Sequence, residues 1–537
     1  MLKGSGDCLA YVLLDIYNQV ASGHMKPPES WKQSIITVLY KSGDASQPQI
    51  YRPITVIPLL YKLFARLVYQ RLAPILNREQ SRDQAGFRPG YSTDDHMITF
   101  NLMCEKADEY QLTQWIAVLD FKKAFDSIDH SKLWEALTEQ GTPCYLTALL
   151  KRLYSGQQGR VKTDRLSKWF DIQRGTKQGD PLSSLLFNAL LEYVMRPIKD
   201  KWASKRYGVQ LGHTGDMRIT NLRFADDVML VARTLPQLQQ MLHDMKIASS
   251  SCGLSLHPDK IKILSNATRR TGRTRQNHVD VDGLHIEILT LNATTKYLGR
   301  KICFENNHDV ELQNRLRAAW AKFSTNKQEL TSRHYSLNDR LRLFEAVVTP
   351  TFLYGSGTWT LTQQMESKVR RVQRRMLRMM AGCPRRLTTT NTEANVAQTA
   401  INLNIEGHST EIPMNHEESG SDVSSSPNDA GDEPPAESEN GESELEPWVE
   451  FIKRTTRSIE LKLKRLGTDD WVSQARRRKW QLAQRILTDS SWKWSSVALK
   501  WNPETMFDGM RSQAQRRAAR PKTRWTDEFV KVANRFY

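Results

Sequence analysis

The sequence predicts an α+β fold in which strands and helices share one sheet in a split-βαβ arrangement, and three observations predict it. The apolar run Trp115–Leu119 has strand length and ends in Asp120. Two further short apolar runs, 221–225 and 228–232, are separated only by Asp226 and Asp227, which marks a tight hairpin with acids at its tip. Between and after these lie helix-period segments, one opened by Pro181 (LSSLLFNALLEYVM) and one in which Leu238, Met241, Leu242 and Met245 share a face.

The remaining elements follow in order. SIITVLY (34–40) reads as a strand. Pro58 opens a helix whose apolar positions are Leu60, Leu63, Phe64, Leu67 and Leu72. Thr234 caps the helix that follows the hairpin, Gly253 stops it, and IKIL (261–264) returns as a strand. Further on, MESKVRRVQRRMLRMMAG places Met365, Val369, Val372, Met376, Leu377 and Met380 on one side of a helix. Lys368, Arg370, Arg371, Arg374, Arg375 and Arg378 lie on the other. That pattern suits a helix packed on a core with nucleic acid outside, and equally an ordinary surface helix.

Composition narrows the class. A chain of 537 residues with 39% hydrophobic content forms several folded units. It has no apolar run near the roughly 18 residues a membrane span needs. Asp15 interrupts the opening segment, so a secretory signal is not expected. Cys8, Cys104, Cys144, Cys252, Cys303 and Cys383 are scattered without a CxxC, which fits a reducing compartment and no structural zinc. The expected location is inside the cell, nuclear or cytoplasmic. Lys and Arg number 77 against 59 Asp and Glu, a net charge of +18. The stretch 387–452 holds 15 Asp and Glu and no Lys or Arg, so the rest is more basic still, as a partner of polyanions would be. Residues 405–447, rich in Glu, Ser, Pro and Gly, read as a disordered linker.

Phosphoryl transfer needs hard carboxylate ligands for divalent metal, drawn from separate chain segments. Asp120 at a strand end and Asp226 with Asp227 at a hairpin tip supply them. A carboxylate ending an apolar run is costly unless something pairs with it.

The wording around these acids is similar to the reverse transcriptases of non-LTR (LINE-type) retrotransposons. The resemblance runs from about residue 30 to about 385 and comprises seven blocks in family order: YRPITVIPLLYKLF (51–64), QAGFRPGYST (84–93), LDFKKAFD, QGDPLS, FADD, CGLSLHPDK (252–260) and KYLG (296–299). It implies an α+β right-hand polymerase with fingers, a palm built on a split-βαβ sheet and a helical thumb, followed by a small basic helical C-terminal domain. The organisation expected is an N-terminal extension (1–30), fingers and palm (31–304), a thumb-like region (305–385), an acidic linker (386–452) and a Trp/Arg-rich domain (453–537). It further implies RNA-directed DNA polymerase activity on an RNA template, a DNA primer and dNTPs, with two Mg²⁺ ions or with Mn²⁺, and with no membrane partner.

Roles carry over residue by residue. Asp120 and Asp226 would bind metal with Asp227 beside them, and the Phe121 carbonyl would complete a metal shell. Phe125 matches the steric gate under the incoming sugar, or is plain core. Gln178 and Gly179 would lie along the nucleotide and template base. Arg52 and Arg88 would reach the triphosphate, Arg52 alternatively serving as a fold-holding ion pair. Lys260 is a candidate proton donor to pyrophosphate, or a solvated turn lysine.

Two features depart from the family. Ser184 stands where proline is common, and the motif region begins within about 30 residues of Met1, which leaves no room there for a nuclease. A fragment, a truncated copy or a cellular derivative is therefore expected. In 453–537, 21 Lys and Arg accompany six Trp. Arg476, Arg477, Arg478, Arg524 and Trp525 are candidates to clamp phosphates and stack on bases, against the alternative that the tryptophans form a small core. ARRRK also suits nuclear import. The rival function is a non-enzymatic nucleic-acid-binding relic, and a maturase or telomerase relative fits the motif wording less well.

Overall fold

The computed structural model describes residues 6–41, 44–211, 217–267, 277–386, 445–465, 467–489, 493–507, 510–513 and 523–536. The chain divides into two units. One comprises Met1–Arg317, Leu353–Met365 and Ala475–Tyr537, the other Ala318–Phe352 and Glu366–Gln474.

The larger unit is built on a six-stranded sheet in the order His278–Val281, Leu284–Ile288, Lys262–Ser265, Trp115–Leu119, Asp227–Ala232, Asn221–Phe224. Trp115–Leu119 lies inside the sheet, antiparallel to both neighbours. Its uninterrupted apolar run is what a strand covered on both faces requires. Ala117 and Leu119 pack with Leu186 and Leu190 of the Ser183–Ser204 helix and with Leu238, Met241 and Met245 of the Leu235–Ser250 helix. Ile116 and Val118, pointing the other way, pack with Met97 and Phe100 of the Thr93–Glu109 helix and with Trp494, Trp501 and Trp525. A second sheet, in the order Tyr51–Val56, Gln33–Tyr40, Gln158–Lys162, Phe170–Asp171, stands apart from the first.

Local rules account for some boundaries. Thr234 accepts the Gln237 amide at the helix start, and Gly253 adopts a left-handed φ of 84° just past its end. The helix after Pro58 spans Leu59–Glu79, but its buried stripe differs from the one expected. Leu60, Leu63 and Leu67 are exposed, while Tyr61, Phe64, Ala65, Val68, Leu72 and Leu76 are buried. The aromatic pair Tyr17 and Trp31 turns the helix this way, with ring centroids 5.2 and 5.1 Å from Phe64.

The smaller unit is helical. Trp471 is fully buried there, stacked on Phe344 and Phe352 at 5.7 and 4.3 Å, with its indole donating to Thr349. In the Gln363–Ala381 helix Val369, Met376, Leu377 and Met380 are buried as the periodicity predicts. Its basic side is less open than expected. Arg370 faces Glu366 and Asp470, Arg374 pairs with Glu460, Arg375 lies over Trp320, and Arg378 donates to Thr456. Lys368 and Arg371 are exposed.

The C-terminal stretch is divided differently from the expected 453–537 domain. The helix Trp448–Arg465 begins inside the predicted linker, and the chain from Ala475 onward belongs to the larger unit. The physical reason is burial: its tryptophans complete the second face of the six-stranded sheet. Residues 387–444, most of the predicted linker, lie outside the described residues. Among the described residues no helix is long and apolar enough to cross a membrane.

Candidate active site

Asp120 follows the central strand directly. The register that pairs Leu119 with Val228 carries Asp120 to the sheet end at which Asp227 begins its own strand. The Asp120 carbonyl accepts the His257 amide at 2.8 Å, and Lys122 donates to Ser255, so Phe121 and Leu256 face each other as a non-hydrogen-bonded pair. The Phe121 carbonyl is therefore directed away from that pairing. Lys260 donates to Asp120 Oδ2 at 2.5 Å.

The hairpin pairs Phe224 with Asp227 around a two-residue turn, Ala225–Asp226. Ala225 adopts φ 55°, a conformation that such turns usually assign to glycine at this position. Gln84 meets it from the side, its Oε1 accepting the amides of both Ala225 and Gly86 at 2.9 Å. A Cβ on Gly86 would lie 2.3 Å from the Ala225 nitrogen, so glycine permits this approach.

Burial raises the Asp227 carboxyl to about 7, reinforced by the charges of Asp226 and Asp120 and opposed by Lys41 and Lys260. Burial also raises Asp226, reinforced by Asp120 and opposed by Arg52 and Lys41. Excess negative charge at the end of a sheet is the environment that a divalent cation relieves. Among the described residues no three His, Cys, Asp or Glu side chains form a metal cage by themselves. Magnesium fits such a site because it is commonly held by one or two carboxylates, with substrate phosphates and water completing its shell.

Four predicted residues, Arg52, Gln178, Gly179 and Phe125, have defined surroundings. Arg52 is exposed on the Tyr51–Val56 strand and acts electrostatically on Asp226. The Gln178 carbonyl accepts the Thr55 amide at 2.8 Å, and its side chain donates to Asp126 at 3.2 Å. Gly179 has φ 120°, and a Cβ there would come within 2.9 Å of the Thr55 carbonyl oxygen. The loop is thus docked on the strand that carries Arg52. Phe125 is half-buried, stacked on Phe187 at 4.6 Å and edge-on to Phe87 at 6.4 Å.

Other expectations need correction. Arg88 does not extend toward a triphosphate. Its guanidinium donates to the carbonyls of Ser81 at 2.6 Å, Gln84 at 2.9 Å and Asn77 at 3.3 Å, and it lies over Tyr91. Trp525 is 1% exposed and donates to the Gly357 carbonyl, so its ring has no free face for a base. Arg524 pairs with Glu109, and Arg478 donates to the Leu353 carbonyl. Arg476 faces Glu528 at 3.6 Å; it and Arg477 are exposed. Lys41, just past the Gln33–Tyr40 strand, also acts on Asp226 and Asp227; its signal in the sequence is a lysine following an exposed strand end.

A mixed sheet with acids from two strands at one end, and a glycine-docked loop on the strand that carries Arg52, is consistent with the palm of a polymerase fold. Residues 40–302 match the family described as reverse transcriptase (RNA-dependent DNA polymerase), and the chain is similar to proteins of retrotransposable elements. A retrovirus-related Pol polyprotein from the type-2 retrotransposable element R2DM of Drosophila melanogaster is 31% identical over 43% of this chain and 21% of its own length. A probable RNA-directed DNA polymerase from transposon X-element of the same organism is 25% identical over 66% of this chain and 38% of its own. The chain spans between 21% and 38% of the lengths of these two relatives. Apo telomerase from Candida tropicalis aligns with 68% of this chain and 62% of its own at 13% identity and a TM-score of 0.40.

Proposed function

We propose that this protein is an RNA-directed DNA polymerase that adds dNTPs to a primer 3′-hydroxyl on an RNA template. The observation that carries the reading is the acid set at the sheet end, with Asp120 and Asp227 brought together by strand register and Asp226 set in a strained turn.

In the reaction the primer 3′-oxygen bonds to the α-phosphorus of the nucleotide, the bond to the β-phosphate oxygen breaks, and pyrophosphate and the hydroxyl proton depart. Divalent ions, two Mg²⁺ with Mn²⁺ as the alternative, supply the charge that acidifies the hydroxyl and neutralises the leaving group. Asp120, Asp226 and the Phe121 carbonyl would hold them, with Asp227 alongside. Arg52 and Lys41 attract the triphosphate into the same field. Gln178 and Gly179 present a close-packed floor to the base pair being formed, and the Phe125 ring occupies the space under the sugar.

The test is extension of a DNA primer on an RNA template with dNTPs and Mg²⁺. Template-directed extension is expected. Binding of RNA without extension under any divalent ion would contradict the reading.

A further inference from the structure

The catalytic turn is held by a side chain that the chemistry does not use. Gln84 is fully buried, and one oxygen atom of its amide accepts two main-chain N–H groups, those of Gly86 and Ala225, each at 2.9 Å. Ala225 has φ 55°, which an alanine does not adopt without cost. Its amide is also buried, so without Gln84 it would lose its acceptor as well as its restraint. The next residue is Asp226. A change in the peptide joining them swings that carboxylate.

The segment carrying Gln84 is itself fixed at several points. Gln84 bridges Arg223 in parallel, Ala85 donates to the Arg223 carbonyl at 2.8 Å, and Arg223 donates to the Asp83 carbonyl at 2.7 Å. Asn188 donates to the Gly86 carbonyl at 2.8 Å. Arg88 clasps the loop from below through the Ser81 and Gln84 carbonyls. Gln84 is therefore presented to the turn from a rigid support.

We propose that Gln84 is a positioning residue, which pins the left-handed Ala225 through its side-chain carbonyl and thereby sets the carboxylate of Asp226. The inference rests on the polymerase reading above. It makes a specific demand on kinetics. Arg52, Gln178 and Gly179 are untouched by loss of Gln84, so nucleotide affinity stays while the chemical step suffers.

The experiment compares the parent with Gln84→Leu, which has similar volume and no acceptor, and Gln84→Glu, which keeps an acceptor at the same reach. Single-nucleotide addition is measured against dNTP concentration, and amide hydrogen exchange is measured without nucleotide or metal. Gln84→Leu should lower kcat about 100-fold with the dNTP KM within about threefold of the parent. Exchange at Gly86 and Ala225 should quicken about tenfold or more. Gln84→Glu should keep most of both properties. If Gln84→Leu does not fold, Gln84→Asn takes its place, since it is one methylene too short to reach the turn.

The inference is overturned if the acceptor-less variant keeps parental kcat and parental exchange. It is also overturned if the loss falls on KM alone, or if Gln84→Glu falls as far as Gln84→Leu. A parent that adds no nucleotide contradicts the polymerase reading instead, and the exchange comparison still decides whether Gln84 holds the turn.

Discussion

Lys260 donates to Asp120 across 140 residues of sequence, Nζ to Oδ2 at 2.5 Å, so the acid ending the central strand already holds a cation. A divalent ion that uses Asp120 must displace that ammonium group. Lys260→Met should therefore lower the Mg²⁺ concentration for half-maximal nucleotide addition several-fold. The check is a Mg²⁺ titration of initial rate for parent and variant. An unchanged midpoint would mean that Lys260 leaves Asp120 before the ion arrives.

Phe125 is fixed by Phe187 at 4.6 Å and Phe87 at 6.4 Å, so its ring cannot yield cheaply to an extra 2′-hydroxyl. Phe125→Val should reduce the ratio of kcat/KM for dNTP over rNTP by about tenfold or more while much of the dNTP activity remains. If the ratio stays constant, Phe125 is ordinary core.

Asp83 gives the stability a defined pH dependence. Burial alone would raise its carboxyl, but Lys199, Arg223 and the Trp494 indole outweigh burial and hold it down at about 2. The stabilisation is fully present above the ordinary carboxylate value near 3.8 and is lost as pH falls through about 2. The shift corresponds to roughly 2 kcal/mol. Denaturant unfolding from about pH 5 down to about pH 2 should therefore show a loss for the parent that exceeds the loss for Asp83→Asn by roughly that amount. Parallel curves would assign the acid sensitivity to other groups.

Trp525 is buried beside the sheet with its indole on the Gly357 carbonyl and its own amide on Glu105. Trp525→Ala should cost about 3–5 kcal/mol of unfolding free energy. The slope of RNA affinity against salt should not change, because no phosphate contact is removed. A flatter slope with unchanged stability would return Trp525 to the nucleic-acid surface.

Asp120 and Asp226 could be read from the sequence because a carboxylate closing an apolar run is energetically anomalous. Gln84 could not, since its role lies in a bond to a main-chain amide 141 residues away, and no local pattern reports that. Arg88 and Trp525 misled for a related reason. Arginine and tryptophan suit phosphate and base as well as they suit carbonyls and a core, and only burial separates the two uses. The helix after Pro58 shows the same limit: its leucines repeat at helical spacing, yet Tyr17 and Trp31 select the adjoining face.

The central claim is that the carboxylates at the sheet end carry the chemistry. Asp226→Asn keeps the shape of the turn and removes one charge. Single-turnover addition of one dNTP to a primer on an RNA template, measured for parent and Asp226→Asn with RNA binding measured in parallel, tests the claim most directly. The account predicts a rate lower by about 1,000-fold or more with RNA affinity nearly unchanged. A variant that adds nucleotide at the parental rate would contradict it.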